Sequence, residues 1–283
     1  MQTPGMTIVV FGARGRVGRQ VVAGLRAAGE RVRATGREAP AGAFGPEVET
    51  VAADLDRPET LGPALADAGA AFAYAHPAGA EGFAAAARSA GVRRVVLLSS
   101  AAVTRPDAAQ NPIARRHRAV EEVLERSGLE WTFVRGGMFA VNAIGLWGPS
   151  IREQGRVRLP YAEAQSAPVH EADLAAVAVA ALTADGHAAM AYTVHGPESL
   201  TLRRQVGAIA AAVGRPVAVE EVDEEVARAD MLRGGLPEFA VTAILRNWST
   251  GAAAETSTVV PQVTGRPART FAEWAVDHAA DFR

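Results

Sequence analysis

The feature that most constrains this chain is a glycine-rich turn caught between a buried strand and an amphipathic helix. Thr7-Ile-Val-Val-Phe11 is an apolar strand run. It leads into Gly12-Ala13-Arg14-Gly15-Arg16-Val17-Gly18, and Val17, Val21, Val22 and Leu25 then form one helical stripe that ends near Gly29. In a G-x-x-G-x-x-G turn of this kind the first glycine permits the tight turn. The second lets backbone approach a pyrophosphate, and the third lets helix and strand pack closely. The helix start presents free N–H groups and partial positive charge to the phosphates. The segment therefore reads as a dinucleotide site, with Gly12, Arg14, Gly15, Arg16, Val17 and Gly18 at the phosphates. The second strand ends Thr35-Gly36-Arg37, with no acid at its tip to hold a ribose 2′-hydroxyl. Residues 1–40 carry seven Arg against two acids. A 2′-phosphate calls for such a cation excess, and Arg offers it a bidentate partner. The reading favours NADP(H) over NAD(H), with Arg14 and Arg37 as phosphate clamps.

Strand and helix signals alternate through the first 135 residues. Further strands are expected at Arg31–Thr35, Glu49–Ala53, Ala71–Ala75, Arg94–Leu98 and Trp131–Val134, with helices near 58–68, 79–90 and 113–127. Such alternation means βαβ units with right-handed crossovers, so the fold class is α/β, a Rossmann doubly wound parallel sheet. Beyond residue 140 the pattern changes. Residues 141–168 read as irregular because of Gly145, Gly148 and Pro149, apart from a short strand near Arg156–Leu159. Glu171–Leu182 reads as a helix and Ala191–His195 as a strand, and helices follow near 201–213, 223–233, 237–247 and 269–280. The expected division is a dinucleotide domain of residues 1–148 with 169–196, and a smaller, mostly helical C-terminal substrate lobe of 149–168 with 197–283.

Composition excludes several chemistries. There are 29 basic residues and 31 acidic ones, for a net charge of −2, which argues against a general nucleic-acid binder or a polybasic membrane anchor. Every one of those cations is Arg. With no Lys, a Schiff base and a P-loop lysine are excluded. With no Cys, so are thiolate nucleophiles, disulfides and Cys-ligated metals. No metal site is expected, since no two histidines stand four residues apart. The longest apolar run, Leu174 to Leu182, has nine residues and falls short of a membrane span. No targeting segment is visible, so a cytoplasmic location is expected. Oligomeric state is left open.

The opening Val-Phe-Gly-Ala-Arg-Gly-Arg-Val-Gly, Ala53-Asp54-Leu55, Val-Leu-Leu-Ser-Ser of the fifth strand, and Trp131-Thr-Phe-Val-Arg135-Gly-Gly-Met-Phe139 together resemble NmrA-like proteins. These are atypical members of the short-chain dehydrogenase/reductase superfamily. The resemblance covers most of residues 7–195 and, more loosely, the helical tail. It implies a Rossmann fold, a small substrate lobe and bound NADP(H) or NAD(H). It also implies that Asp54 and Leu55 flank the adenine and that Ala75 and His76 lie along the cofactor near the ribose. Ser99 and the Gly137, Met138 and Phe139 backbone would lie near the nicotinamide.

The same resemblance exposes a departure. Standard members use Ser, Tyr and Lys, but here Ile113 falls at the Tyr position, His117 at the Lys position and Ala101 at the Ser position. Ordinary carbonyl reduction through a tyrosine acid is thereby put in doubt. Ile113, His117, Val120 and Leu124 share one helical face that should pack on the sheet, and the resemblance, by setting His117 at the Lys position, implies that it points toward the nicotinamide ribose as the candidate catalytic residue, a hydrogen-bond partner or proton relay. Tyr74, Tyr161 and His170 are weaker candidates. Three functions stay open: an NADP(H)-dependent oxidoreductase of a small, apolar carbonyl, quinone or enone substrate; a non-catalytic NADP(H)-sensing regulator, for which the acidic 216–230 stretch would be a partner surface; and a redox-neutral isomerase or cyclase that keeps the cofactor.

Overall fold

The computed structural model describes residues 6–39, 42–250 and 254–283. In chain order the elements begin β1 (Thr7–Val10), α1 (Arg16–Ala27), β2 (Arg31–Gly36), β3 (Glu49–Ala52), α2 (Leu61–Leu65), β4 (Ala70–Tyr74), α3 (Ala80–Ser89), β5 (Arg94–Ser100), α4 (Pro112–Arg126) and β6 (Glu130–Gly136). They continue α5 (Asn142–Gln154), β7 (Arg156–Leu159), β8 (Gln165–Ser166), α6 (Glu171–Thr183), β9 (Met190–Val194), β10 (Leu200–Thr201), α7 (Leu202–Val213), β11 (Ala218–Glu221), α8 (Glu224–Arg233), α9 (Glu238–Ser249), α10 (Val259–Thr264) and α11 (Phe271–Asp277). The chain divides into two compact units. The first is Met1–Gly137 with Glu171–Val194 and Val259–Pro267; the second is Met138–His170 with His195–Thr258 and Ala268–Arg283.

The first unit is built on a seven-stranded sheet in the order β3-β2-β1-β4-β5-β6-β9, with every pairing parallel. Its central strands are buried on both faces, which is why Thr7–Val10 and Arg94–Leu98 read as continuous apolar runs and not as alternating ones. One core packs Phe11 edge-to-face on Phe83, with ring centroids 5.3 Å apart, and includes Leu61, Leu97, Leu124 and Phe133. The helix α1 buries the expected Val17, Val21, Val22 and Leu25. It meets α6 closely: a Cβ on Gly24 would stand 2.9 Å from Val179 Cγ2. The strand order reverses direction between β1 and β4. Ligands of open parallel sheets bind at that point, outside the carboxyl ends of the strands.

The second unit is mostly helical, with α5, α7, α8, α9 and α11 around a core that includes Trp147, Ile151, Val206, Leu245, Trp248 and Trp274. Two small sheets complete it, β10 antiparallel to β8 and β11 parallel to β7. The expected irregular stretch after residue 140 is corrected here, because Asn142–Gln154 is a helix with Pro149 inside it. A proline ring crowds the carbonyl four residues back, and the residue there is Gly145. The buried positions Ala143, Trp147 and Ile151 recur every four residues, enough to hold the helix on the core. The strands β8, β10 and β11 and the helix α10 also lie where no element was expected.

Candidate functional site

In the first unit the site begins at the carboxyl end of β1. Gly12 has φ +67°, a conformation that an L side chain rarely adopts. A Cβ on Gly18 would stand 2.3 Å from the Gly12 carbonyl oxygen, and one on Gly15 would stand 3.1 Å from it. The loop is pinned by Ala13 N–H donating to Thr35 O (3.1 Å) and Gly15 N–H to Gly12 O (2.9 Å). The helix α1 then starts without a side-chain cap and without an acid in its first turn. The first N–H groups of a helix have no intrahelical acceptor, so these are left for a ligand. Arg14, Arg16 and Arg37 are exposed, and their guanidinium groups have no carboxylate partner among the described residues.

The ring of Tyr74, at the end of β4, faces this loop: a Cβ on Gly12 would meet it at 2.9 Å. Burial raises the Tyr74 pKa. The charge of Asp54 and, less strongly, that of Asp56 push the same way, while Arg37 opposes them. These groups therefore crowd one corner. There His76 Nε2 lies 2.6 Å from Asp56 Oδ1, and the Leu55 carbonyl sits so close to Gly79 that a Cβ there would stand 2.2 Å from it. Leu55, Tyr74 and His76 line a common cleft, so residues assigned to the adenine and ribose from sequence do converge. Ala75, the residue between, is half-buried.

Further along the sheet, β5, β6 and α4 meet at a buried carboxylate. Glu121 is fully buried. Its Oε1 accepts from the Ser99 hydroxyl at 2.6 Å and from Arg135 Nε at 2.9 Å, and its Oε2 accepts from an Arg135 terminal nitrogen at 2.8 Å. The Ser99 proton is thus engaged within the protein. Four residues before Glu121, the half-buried His117 leaves Nδ1 without a partner. Burial lowers the His117 pKa, the charge of Glu121 pulls it back up and Arg116 pushes it further down. Ile113 and His117 are half-buried, while Val120 and Leu124 complete the face as core.

A family model of NAD(P)H-binding proteins matches residues 12–185. The chain belongs to this NAD(P)H-binding family. It is 40% identical to the (4-alkanoyl-5-oxo-2,5-dihydrofuran-3-yl)methyl phosphate reductase of Streptomyces griseus, over 97% of this chain and 99% of that protein. It is 36% identical to the NAD(P)H azoreductase of Xenophilus azovorans, again over 97% and 99%. Among solved structures, the Citrobacter sp. triphenylmethane reductase complexed with NADP(H) has a TM-score of 0.80 at 23% identity, covering 96% of this chain and 99% of that one. The negative transcriptional regulator NmrA, in complex with NADP, gives 0.71 at 18% identity over 97% and 95%. These two likenesses establish the shared fold, in line with the resemblance read from the sequence.

The residues of this NAD(P)H-binding protein fit the cofactor class. Its glycine cradle has no room for a side chain at Gly18, and its α1 N-terminus is uncapped. Gly137, at the boundary of the first unit, donates its N–H to Val194 O at 2.9 Å. Met138 and Phe139 belong to the second unit, where they line a separate cleft. Tyr161 donates its hydroxyl to Glu224 at 2.7 Å, and the buried His170 lies 3.3 Å from Asp277. Sequence reasoning missed the Glu121–Arg135 pair. The signal was an acid beside Val120, Val123 and Leu124 on a core-facing helix, and an Arg near the end of a buried strand; buried charges of that kind must pair. Among the described residues no helix is long and apolar enough to cross a membrane.

Proposed function

We propose that this chain is an NADP(H)-dependent reductase of small, electron-poor conjugated substrates such as quinones and enones. The first unit is the dinucleotide-binding domain and the second the substrate lobe. The observation that carries the cofactor choice is the set of three unpaired arginines, Arg14, Arg16 and Arg37, around a glycine loop whose neighbouring strand β2 ends without an acid. In this reading Gly12, Gly15 and Gly18 with the N–H groups of Arg16 and Val17 hold the pyrophosphate. Arg14 and Arg37 take the 2′-phosphate, Asp54 and Leu55 flank the adenine, and Ala75 and His76 follow the ribose. Arg37→Ala should raise the Kd for NADPH roughly 10- to 100-fold, the size of a lost charge-assisted hydrogen bond. The Kd for NADH should hardly move, and calorimetry with both nucleotides checks it.

The bound cofactor supplies a hydride. The chain must supply the rest without a tyrosine–lysine pair. Reduction of a quinone or enone leaves its negative charge spread over a conjugated system, so a weak or distant proton source suffices. Relatives at 40% and 36% identity are named for a dihydrofuranone phosphate and for azo compounds, both conjugated acceptors, which supports this substrate class. His117 is the proton source in this reading. Its imidazolium donates, and burial makes it a stronger acid than usual. Turnover should therefore fall as pH rises, with an inflection below the ordinary histidine value of 6.5. His117→Ala should flatten that profile and lower kcat about 10²-fold at unchanged NADPH affinity. The deciding assay is NADPH oxidation against a panel of quinones, enones and azo dyes. Tight NADPH binding with no turnover on any of them would point instead to a cofactor-sensing regulator.

A further inference from the structure

The chain has three tyrosines. Two of them engage their hydroxyls inside the protein. Tyr161 donates to Glu224 at 2.7 Å, and the Tyr192 oxygen lies 2.8 Å from His187 Nδ1. The hydroxyl of the third, Tyr74, has no hydrogen-bond partner among the described residues. Tyr74 is the last residue of β4, so it stands at the carboxyl end of the strand beside β1, where open parallel sheets receive their ligands. It stays 41% exposed although its ring is held on two sides. On one side lies Gly12, whose missing Cβ leaves the room: an added one would come within 2.9 Å of the ring carbons Cδ1 and Cε1. On the other the ring meets His76 at a steep angle, with centroids 6.4 Å apart, and His76 Nε2 is itself tied to Asp56 Oδ1 at 2.6 Å. A phenol fixed through its ring and free at its oxygen is a preorganised donor. The entropy of placing it is lost on folding and not on binding.

The surrounding charges indicate what such a donor would meet. Arg37 is near enough to pull on the Tyr74 pKa, so phenol and guanidinium share this corner, and the Arg37 side chain has no carboxylate partner among the described residues. The two acids of the corner already hold protein donors: Asp54 Oδ1 accepts from the Asp56 N–H at 3.1 Å, and Asp56 Oδ1 takes His76. Burial, then Asp54 and less strongly Asp56, hold the phenol above its ordinary pKa against the pull of Arg37, so it keeps its proton through the neutral range. A protonated phenol beside an unpaired guanidinium suits an anionic oxygen. In the dinucleotide reading, two phosphate groups come to this end of the sheet, the pyrophosphate at the glycine loop and the adenosine 2′-phosphate at Arg37.

We propose that Tyr74 is a further cofactor-binding residue, its hydroxyl donating to a phosphate oxygen of bound NADP(H) while its ring stays against Gly12. The inference rests on the reading of the Gly12–Gly18 turn as the dinucleotide site. It adds to that site a neutral donor, which neither the backbone N–H groups nor the arginines supply from β4.

The test uses the full chain carrying Tyr74→Phe, which keeps the ring between Gly12 and His76 and removes only the oxygen. NADPH should bind about 5- to 30-fold more weakly by calorimetry, the size of a lost hydrogen bond to a charged acceptor. The thermal unfolding midpoint of the cofactor-free protein should not move. NADH separates the two phosphates. A loss on both nucleotides puts the hydroxyl at the pyrophosphate, and a loss on NADPH alone puts it at the 2′-phosphate. In ³¹P NMR of bound NADPH, the phosphorus that Tyr74 serves should shift between the unmodified and Tyr74→Phe proteins. Tyr192→Phe is the control, since β9 lies three strands from β4 in the sheet, and it should leave both affinities unchanged. Native affinity of Tyr74→Phe for both nucleotides would overturn the proposal, and so would an equal loss in Tyr192→Phe. An unmodified protein that binds NADPH no more tightly than NADH would sink the preference for NADP(H) alone, with the Tyr74→Phe loss on both nucleotides still supporting the donor. An unmodified protein that binds neither would sink the dinucleotide reading and the proposal together.

Discussion

Replacing Gly18 with alanine is expected to abolish dinucleotide binding while leaving the chain folded. The new Cβ would lie 2.3 Å from Gly12 O, 3.0 Å from Gly12 C and 3.1 Å from Ala13 Cα. All three are backbone atoms, so no flexible side chain can swing aside. Either α1 shifts away from the loop or the loop opens, and both displace the uncapped N–H groups from the pyrophosphate. The strain is of the order of other overpacking changes, about 1–3 kcal/mol. That is enough to move a loop without unfolding a sheet of seven strands. Calorimetry should show NADPH affinity reduced at least 100-fold, with the circular dichroism spectrum unchanged. Gly62→Ala is the control. Nothing lies within 4 Å of its added Cβ, and Gly62 sits in a helix, where alanine is preferred. A Gly18→Ala protein with native NADPH affinity would remove the pyrophosphate cradle from the functional reading.

The largest loss of stability is expected from Glu121→Ala. The substitution strands the Arg135 guanidinium, only 17% exposed, beside a hole where two hydrogen bonds had been, and takes the acceptor from Ser99. Removing one partner of a buried pair typically costs about 3–5 kcal/mol, because the remaining charge stays desolvated. The clamp joins the carboxyl ends of β5 and β6 to α4, so the damage falls at the strand ends beside the helix that carries His117. Urea denaturation should show the midpoint shift. Glu122→Ala, one residue away, serves as the comparison. Glu122 is exposed and paired with Arg118 at 3.2 Å, and its loss should stay within ~0.5 kcal/mol. A Glu121→Ala protein as stable as the Glu122→Ala protein would show the clamp to be ornamental.

Much of the first unit was legible because parallel strands announce themselves as short apolar runs punctuated by glycine. The strand β1, the turn from Gly12 to Gly18 and the α1 stripe could be read from local chemistry alone. The helix α5 was hidden because Gly145, Gly148 and Pro149 are breakers in isolation. Only the burial of Trp147 and Ile151 on a core assembled from distant segments overrides them. The strands β8 and β10 have two residues each, too few for any periodic signal. The sequence marked Tyr74 as a candidate but not its approach to Gly12, which depends on the register between β1 and β4. Each half of the Glu121–Arg135 pair left a signal as a buried charge, but their pairing was hidden for the same reason: the partners are 14 residues apart, on elements that meet only once the sheet has formed.

The first unit is assembled from three separate stretches of chain. Its seventh strand and the helix that covers α1 arrive from residues 171–194, and α10 arrives from 259–264. During synthesis on the ribosome, β6 therefore emerges as a bare edge and waits for β9 while the intervening segment is still being made. The first unit cannot mature first and serve as a platform for the remainder. Its completion is tied to the arrival of residues up to 267, and a nascent fragment ending at residue 137 presents an unpaired strand edge open to aberrant association.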